Sequence, residues 1–74
     1  MLILKNTATN AAELYKLLGS NRMVYHKRLG PVHVNKLDML TNPASDVVTV
    51  YTQDGSDYDT SIVELKGIIN LNCN

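Results

Sequence analysis

The sequence contains no tryptophan, no phenylalanine and only one cysteine among its 74 residues. A core without these large rings must be assembled mainly from leucine, isoleucine, valine and methionine, and a chain of this length can enclose only one such core. The single cysteine, Cys73, excludes an intrachain disulfide and favours a reducing compartment. These absences predict one small domain spanning residues 1–74 and a cytoplasmic location.

Long apolar runs are missing as well. No segment approaches the roughly 20 apolar residues that a membrane-spanning helix requires, and the apolar start at residues 1–4 is too short for a signal peptide. We therefore expect no association with a membrane. Hydrophobic residues make up 45% of the chain and charged residues 19%, which is typical of a folded domain and argues against a disordered chain.

Charge of either sign is not in excess, because seven basic residues balance seven acidic ones. The two signs are nevertheless separated along the chain. Six of the basic residues lie at or before Lys36, and six of the acidic residues lie at or after Asp38. Such a division favours a dipolar surface with a basic face, unless folding interleaves the two halves.

One helix is predicted near the start of the chain, over residues 11–18. Asn10 is a typical N-cap, Glu13 follows at the position that completes a capping box, and Gly19 supplies a C-cap. Three leucines, Leu14, Leu17 and Leu18, share one face of this helix. An eight-residue helix is marginal alone, so the leucine face is expected to pack on a sheet.

The rest of the chain alternates short β-rich segments with turn residues. Val32 and Val34 alternate with polar residues, and an apparent change of parity after them predicts a β-bulge or bend at residues 35–36. Gln53-Asp-Gly-Ser is predicted to form a hairpin turn. The predicted strands are 2–4, 23–26, 32–34, 47–51, 58–63 and 68–71. The strand at 32–34 is expected to continue beyond the bend at residues 35–36.

This order of elements predicts a mainly β (α+β) fold. A sheet of short strands can enclose one core only if it curls on itself. The expected architecture is a small SH3-like or Sm-like barrel of about five short antiparallel strands with one N-terminal helix.

The middle of the chain resembles a known family. Val24-Tyr-His-Lys-Arg-Leu-Gly-Pro-Val, Val48-Thr-Val-Tyr-Thr-Gln-Asp-Gly, Ile62 and Leu65 together resemble the Tudor-like (SH3-like barrel) domain at the C-terminus of superfamily I DNA helicases. The related RNA-polymerase-interacting domain of bacterial transcription factors shares the same opening. The family's second glycine is replaced here by Pro31, and Thr52 stands where an aromatic residue is usual.

The resemblance implies docking on RNA polymerase or another nucleic-acid-processing protein, and it implies no chemistry. It covers about half of the chain and does not include the N-terminal helix. A gene product of this length also suits a phage accessory protein that modifies host machinery.

Candidate binding residues concentrate around the first predicted hairpin, where an aromatic ring and cations could neutralise phosphates or stack a base. Lys27 and Arg28 are equally well explained as solvated loop charges. The full set of candidates is Arg22, Tyr25, His26, Lys27, Arg28, His33, Lys36 and Tyr51.

The sequence contains no pattern that predicts a catalytic or metal site. His26 and His33 flank the Gly30 turn, but a zinc site needs three or four ligands. The acidic segment 54–59 lacks the ligand spacing of a calcium loop and is better read as a turn, with a protein-binding acidic tip as an alternative. No activated nucleophile or glycine-rich phosphate loop occurs. We therefore expect neither an enzyme nor a metal or cofactor.

Three functions remain open. The leading hypothesis is a non-catalytic module that docks on a protein of the transcription or DNA-processing machinery through strand edges and the hairpin of residues 25–28. The alternatives are direct nucleic-acid binding through a basic hairpin face and an Sm-like self-assembling structural protein, possible as a homo-oligomer.

Overall fold

A computed structural model describes residues 2–70, with the side chain of residue 2 left aside. Two α-helices and six strands follow in the order β1 (Leu2–Lys5), α1 (Ala11–Leu18), β2 (Met23–His26), β3 (Gly30–Val34), α2 (Lys36–Thr41), β4 (Val47–Tyr51), β5 (Asp57–Ser61) and β6 (Leu65–Asn70). A short 3-10 helix, Ile62–Glu64, connects β5 to β6. The predicted end of the last strand, residue 71, and the single cysteine, residue 73, lie outside the described residues.

The six strands form one antiparallel sheet in the order β1-β6-β2-β3-β4-β5. The sheet curls strongly, because the His26 ring in β2 lies 3.0 Å from the Thr60 hydroxyl in β5 although two strands, β3 and β4, lie between β2 and β5 in the sheet. The result is a mainly β, barrel-like fold that agrees with an SH3-like barrel at the level of overall architecture, as the sequence predicts.

The inner face of the curled sheet and the two helices enclose one cluster of buried aliphatic side chains. Successive residues of a strand point to opposite faces, so alternate positions of β2, β3 and β4 enter this core. Its members are small and aliphatic, as the absence of large rings requires: Ala8, Ala11, Leu14, Leu18, Val24, Val32, Val34, Met39, Val48, Val50, Ile62, Leu65 and Ile68.

Helix α1 has the predicted bounds and the predicted cap. The Asn10 side chain accepts a hydrogen bond from the Glu13 N–H at 2.9 Å, while the Glu13 carboxylate accepts from the Thr9 N–H and hydroxyl, both at 2.8 Å. Leu14 and Leu18 are fully buried, but Leu17 is 40% exposed. The apolar face therefore runs along Ala11, Leu14 and Leu18, and the prediction that Leu17 joins it is wrong.

The predicted bulge at residues 35–36 is also wrong, because the chain forms helix α2 there. The Asn35 side chain accepts a hydrogen bond from the Leu37 N–H at 3.1 Å and so caps the helix. Met39 enters the core, whereas Leu37 and Leu40 are 68% and 58% exposed. The change of apolar parity after Val34 marks a helix start rather than a kinked strand.

The register irregularity of the sheet lies instead between β2 and β6. Tyr25 pairs with Gly67 and His26 pairs with Leu65, so Lys66 is an extra residue in β6. Such a bulge bends the strand and increases its twist. Strand β6 consequently begins at Leu65, three residues before its predicted start.

Gly67 is required by close packing on the outer face of the sheet. A Cβ atom at this position would overlap Ile3 Cγ2 and lie 3.1 Å from the Leu4 carbonyl oxygen. We expect Gly67→Ala to lower the free energy of unfolding by about 1–3 kcal/mol, as over-packing does. Denaturant unfolding measures this loss.

The double variant Gly67→Ala/Ile3→Ala provides the control. Because Ile3 is 49% exposed, Ile3→Ala alone should cost little, and in the double variant it should recover part of the loss. Equal losses with and without Ile3 would contradict the packing explanation.

Candidate binding surfaces

The polar-aromatic hairpin segment 25–28 divides among three environments. Tyr25 lies on the outer face of the sheet and is 41% exposed, whereas His26 is 1% exposed and faces the core. The Lys27 ammonium lies 2.6 Å from the Glu64 carboxylate. This contact also lowers the pKa of Glu64, chiefly through the hydrogen bond from Lys27. The four residues therefore do not form one continuous basic patch.

His26 anchors the hairpin from inside. Its Nδ1 accepts hydrogen bonds from the N–H groups of Arg28 at 3.1 Å and Leu29 at 3.2 Å. A nitrogen that accepts carries no proton, so the proton of the neutral ring is on Nε2, which donates to the Thr60 hydroxyl at 3.0 Å. Burial, and secondarily the positive charge of Arg28, lower the pKa of His26. The prediction of His26 as a surface binding residue is corrected to a structural role.

The hairpin turn itself presents mixed side chains to solvent. Leu29 and Tyr58 are 40% and 48% exposed. With Arg28 and Asp59 they line a shallow depression of about 290 Å³ above His26. We call Arg28, Leu29 and Tyr58 the hairpin tip. Its combination of an aromatic ring, an aliphatic side chain and a guanidinium is typical of residues enriched in protein interfaces.

The two histidines do not face each other. His26 lies opposite Gly30 in the hairpin and His33 lies opposite Met23, and His26 points into the core while His33 is exposed on the outer face. Within residues 2–70, no three His, Cys, Asp or Glu side chains come close enough to hold a metal ion. Cys73 lies outside the described residues.

Three strands place exposed rings side by side on the outer face of the sheet. Tyr25 of β2 lies opposite Pro31 of β3, and His33 of β3 lies opposite Tyr51 of β4. All four side chains are exposed. We call these four residues the tyrosine surface, and it unites three of the predicted binding residues that are distant in sequence.

A pocket of about 290 Å³ adjoins the tyrosine surface at Tyr51, and Arg22, Val34, Asn35 and Lys36 complete its lining. The Asn35 amide nitrogen donates to the Tyr51 hydroxyl at 3.2 Å. The Lys36 ammonium donates to the Gly19 carbonyl oxygen at 2.5 Å and lies 5.5 Å from the centre of the Tyr15 ring. We call this the cationic pocket. It contains two predicted cations and no carboxylate.

The two edges of the sheet differ in chemistry. Strand β5 carries Asp57 and Asp59 on its outer face, next to the acidic turn at Asp54. Strand β1 carries Ile3 and Leu4, which are 49% and 42% exposed, and ends at the exposed Lys5. Charges on an edge strand discourage pairing with another strand, and an apolar edge invites it.

The backbone of β1 has hydrogen-bonding groups directed away from the sheet. The Asn6 N–H donates to the Lys66 carbonyl oxygen of β6 at 3.2 Å. In an antiparallel pair the backbone groups of successive residues point to alternate sides of the strand. The N–H groups of Lys5 and Ile3 therefore point outward, where no strand pairs with β1 in the described part of the chain.

Folding partly interleaves the two charge halves of the sequence. Lys27 pairs with Glu64, and Arg28 shares the depression at the hairpin tip with Asp59. Arg22 and Lys36 remain together at the cationic pocket without a carboxylate in salt-bridge distance among residues 2–70. Folding thus leaves two cations together at that pocket.

Sequence reasoning did not identify five residues that line the candidate binding surfaces: Ile3, Leu4, Leu29, Asn35 and Tyr58. Their roles depend on strand order and on contacts between distant segments. A signal was present only for Asn35, whose residue type is typical of a helix cap.

Comparison with protein-family models, with curated proteins and with solved structures gives no match. Neither helix within residues 2–70 has the length and apolar character that a membrane-crossing helix requires.

Proposed function

We propose that this chain is a non-catalytic binding module that docks on a protein of the transcription or DNA-processing machinery. The observation that carries the proposal is the open edge of β1, on which Ile3 and Leu4 are exposed. The Tudor-like resemblance in residues 24–32 and 48–55 points to the class of partner, and the barrel-like fold is compatible with that resemblance.

The β1 edge offers main-chain and side-chain complementarity to an extended segment of a partner. The outward N–H and C=O groups of Ile3 and Lys5 can pair with an added strand, which supplies affinity without chemistry at a pocket. Ile3 on the outer face and Leu4 on the opposite face can each cover an apolar side chain of that strand. The acidic β5 edge lacks this apolar character.

The hairpin tip supplies the second contact. The backbone of Arg28 and Leu29 is held in place because His26 accepts hydrogen bonds from both of their N–H groups, and Tyr58 is positioned by strand β5. A rigid turn loses little conformational entropy when a partner binds, so its side chains can contribute more of their contact energy.

The proposed binding role does not draw on the buried polar groups, which are engaged within the fold. Among the described residues, His26 is the one buried titratable side chain. Both of its ring nitrogens are engaged within the fold, and no buried side-chain nitrogen or oxygen in this part of the chain lacks a partner.

Binding to purified RNA polymerase core enzyme tests the proposal, with Lys5→Pro as the edge variant and Lys5→Thr as its matched control. Both variants remove the charge, but only proline removes the outward N–H. We expect the wild type and Lys5→Thr to bind within about twofold of each other and Lys5→Pro to bind at least about tenfold more weakly.

Affinity capture of DNA-processing proteins with the wild type and the same two variants extends the test. Retention of a polymerase subunit or a helicase by the wild type and Lys5→Thr, but not by Lys5→Pro, would support the proposal. No binding to polymerase and no such protein captured would contradict it.

Light scattering tests the alternative of Sm-like self-assembly, in which the β1 edge pairs with a second copy. A dimer or ring that is lost in Lys5→Pro would favour that alternative.

A further inference from the structure

We infer that the tyrosine surface and the cationic pocket together form a binding site for single-stranded nucleic acid. This site lies on β2, β3, β4 and the start of α2, apart from the β1 edge, and it does not depend on the proposed protein docking. A stripe of rings beside a cluster of cations is the arrangement that binds unpaired bases and their phosphates.

The pocket has the chemistry of an anion site. Its polar side chains are a guanidinium, an ammonium, an amide and a phenol, contributed by Arg22, Lys36, Asn35 and Tyr51. The side-chain oxygen of Asn35 accepts a hydrogen bond from the Leu37 N–H. The group of the Asn35 amide that reaches Tyr51 is therefore its NH₂ group. Tyr51 accepts from that group and keeps its own hydroxyl proton to donate. The hydrogen-bonding groups directed to this pocket are therefore donors, which suits a phosphate.

One of the donors is also held in position, and the backbone that carries a second one is anchored. The Lys36 ammonium is held by the Gly19 carbonyl oxygen and the Tyr15 ring, and it retains further protons for a ligand. The backbone next to Arg22 is held because its carbonyl oxygen accepts the Val34 N–H at 2.9 Å. Positioned cations lose less entropy on binding than free surface lysines do.

The tyrosine surface extends from this pocket across neighbouring strands. Tyr51 and His33 are directly opposite each other, and Tyr25 lies one strand further and two residues out of register. With strands about 4.8 Å apart and a rise of about 3.3 Å per residue, the Cα atoms of Tyr25 and Tyr51 are about 12 Å apart. The rings can therefore stack different bases of one strand while its phosphate occupies the pocket.

A single strand fits this surface better than a duplex does. Bases in a duplex are stacked on one another and cannot reach rings on a sheet, whereas the bases of a single strand are free to do so. The acidic residues Asp57 and Asp59 lie beyond Tyr51 at the β5 edge. They would repel phosphates there, so the strand is expected to run from the pocket toward Tyr25.

Fluorescence anisotropy with a labelled oligothymidylate tests the inference. We expect binding at about 50 mM salt that weakens as salt is raised, because each phosphate contact contributes about 0.7 to the slope of log affinity against log salt concentration for single strands. Arg22→Gln should reduce that slope by about 0.7. The matched control Arg28→Gln removes the same charge outside the pocket and should leave the slope unchanged.

Tyr25→Leu tests the stacking component. Because base stacking on an aromatic side chain contributes about 1–3 kcal/mol, this substitution should weaken binding at least about fivefold. The exposed Tyr58 lies at the hairpin tip, so Tyr58→Leu is the control and should retain wild-type affinity. Unfolding curves of both variants verify that the fold is intact.

The inference is overturned if oligothymidylate does not bind at about 50 mM salt. It is also overturned if Arg22→Gln and Tyr25→Leu bind as the wild type does. A third contradicting outcome is competition by heparin while Tyr25→Leu has no effect, since the protein would then attract polyanions without contacting bases. None of these outcomes affects the polymerase test, which depends on Lys5.

Discussion

Leu14→Ala is expected to lower the free energy of unfolding by about 3–5 kcal/mol. Leu14 of α1 is fully buried in the core that the helices share with the sheet, and truncating a buried leucine removes transfer energy and leaves a cavity. A 74-residue protein has a total stability of about 4–11 kcal/mol by the usual value per residue. Denaturant unfolding followed by circular dichroism would show a large shift of the midpoint or a loss of the folded baseline.

Leu17→Ala is the matched control, because the same residue type lies one turn along the same helix but is 40% exposed. We expect it to cost less than about 1 kcal/mol. Similar losses for Leu14→Ala and Leu17→Ala would show that α1 does not pack on the sheet through the face that contains Ala11, Leu14 and Leu18.

His26→Ala is the second substitution with a large expected effect, about 2–4 kcal/mol. It removes a buried ring, leaves the N–H groups of Arg28 and Leu29 without their acceptor, and deletes the contact to Thr60 that joins β2 to β5. Denaturant unfolding measures the loss. His33→Ala, which changes an exposed histidine, is expected to stay within about 0.5 kcal/mol of the wild type.

A pH dependence distinguishes the role of His26 from simple loss of volume. The folded-state pKa of His26 lies below its unfolded value of about 6.5, so the unfolded chain takes up the proton first as pH falls. Stability from this group is complete above the unfolded pKa. It declines as pH falls from about 6.5 toward the folded pKa, with a slope of at most about 1.4 kcal/mol per pH unit.

His26→Asn retains an acceptor near the position of Nδ1 but cannot be protonated. We expect it to lose less stability than His26→Ala and to lack the His26 contribution to the slope between about pH 5 and 7. The lowered pKa values of Glu13, Asp54 and Glu64 act in the acid range below that window. A wild-type slope that persists unchanged in His26→Asn would contradict the assignment.

Local sequence signals predicted the elements that depend on neighbouring residues. The bounds of α1, β2 and β4 agree with the sequence, and the hairpin turn forms where Asp54 and Gly55 predict it. Gly55 has a φ angle of 87°, a conformation that glycine adopts without strain. The Asp54 carboxylate accepts the Ser56 N–H at 3.0 Å, which closes the turn. Caps and turns are local, so one sequence suffices to find them.

Features that depend on distant segments were not predictable in the same way. Helix α2 arises because the Asn35 side chain caps it and Met39 completes the core, although the apolar pattern also fitted a kinked strand. The bulge at Lys66 and the close approach of Ile3 to Gly67 follow from the placement of β6 between β1 and β2. That pairing joins segments more than 60 residues apart in sequence, and no local pattern encodes it.

The candidate sites show the same division. Residue type singled out Arg22, Lys36, Tyr25 and Tyr51, which the structure places on the tyrosine surface and the cationic pocket, but the sequence placed the strongest cluster at residues 25–28. The structure disperses that cluster because alternate residues of β2 point to opposite faces, which buries His26 and exposes Tyr25. Proximity of Tyr25, His33 and Tyr51 emerges only from the order of three neighbouring strands.

Amide hydrogen exchange in β1 tests the account most directly. In the free protein the outward N–H groups of Ile3 and Lys5 should exchange rapidly, while the Leu4 N–H, directed toward β6, should be protected. On addition of RNA polymerase core enzyme, the N–H groups of Ile3 and Lys5 are predicted to become protected as a strand is added. Unchanged exchange at both positions in a complex that has formed would contradict docking through this edge.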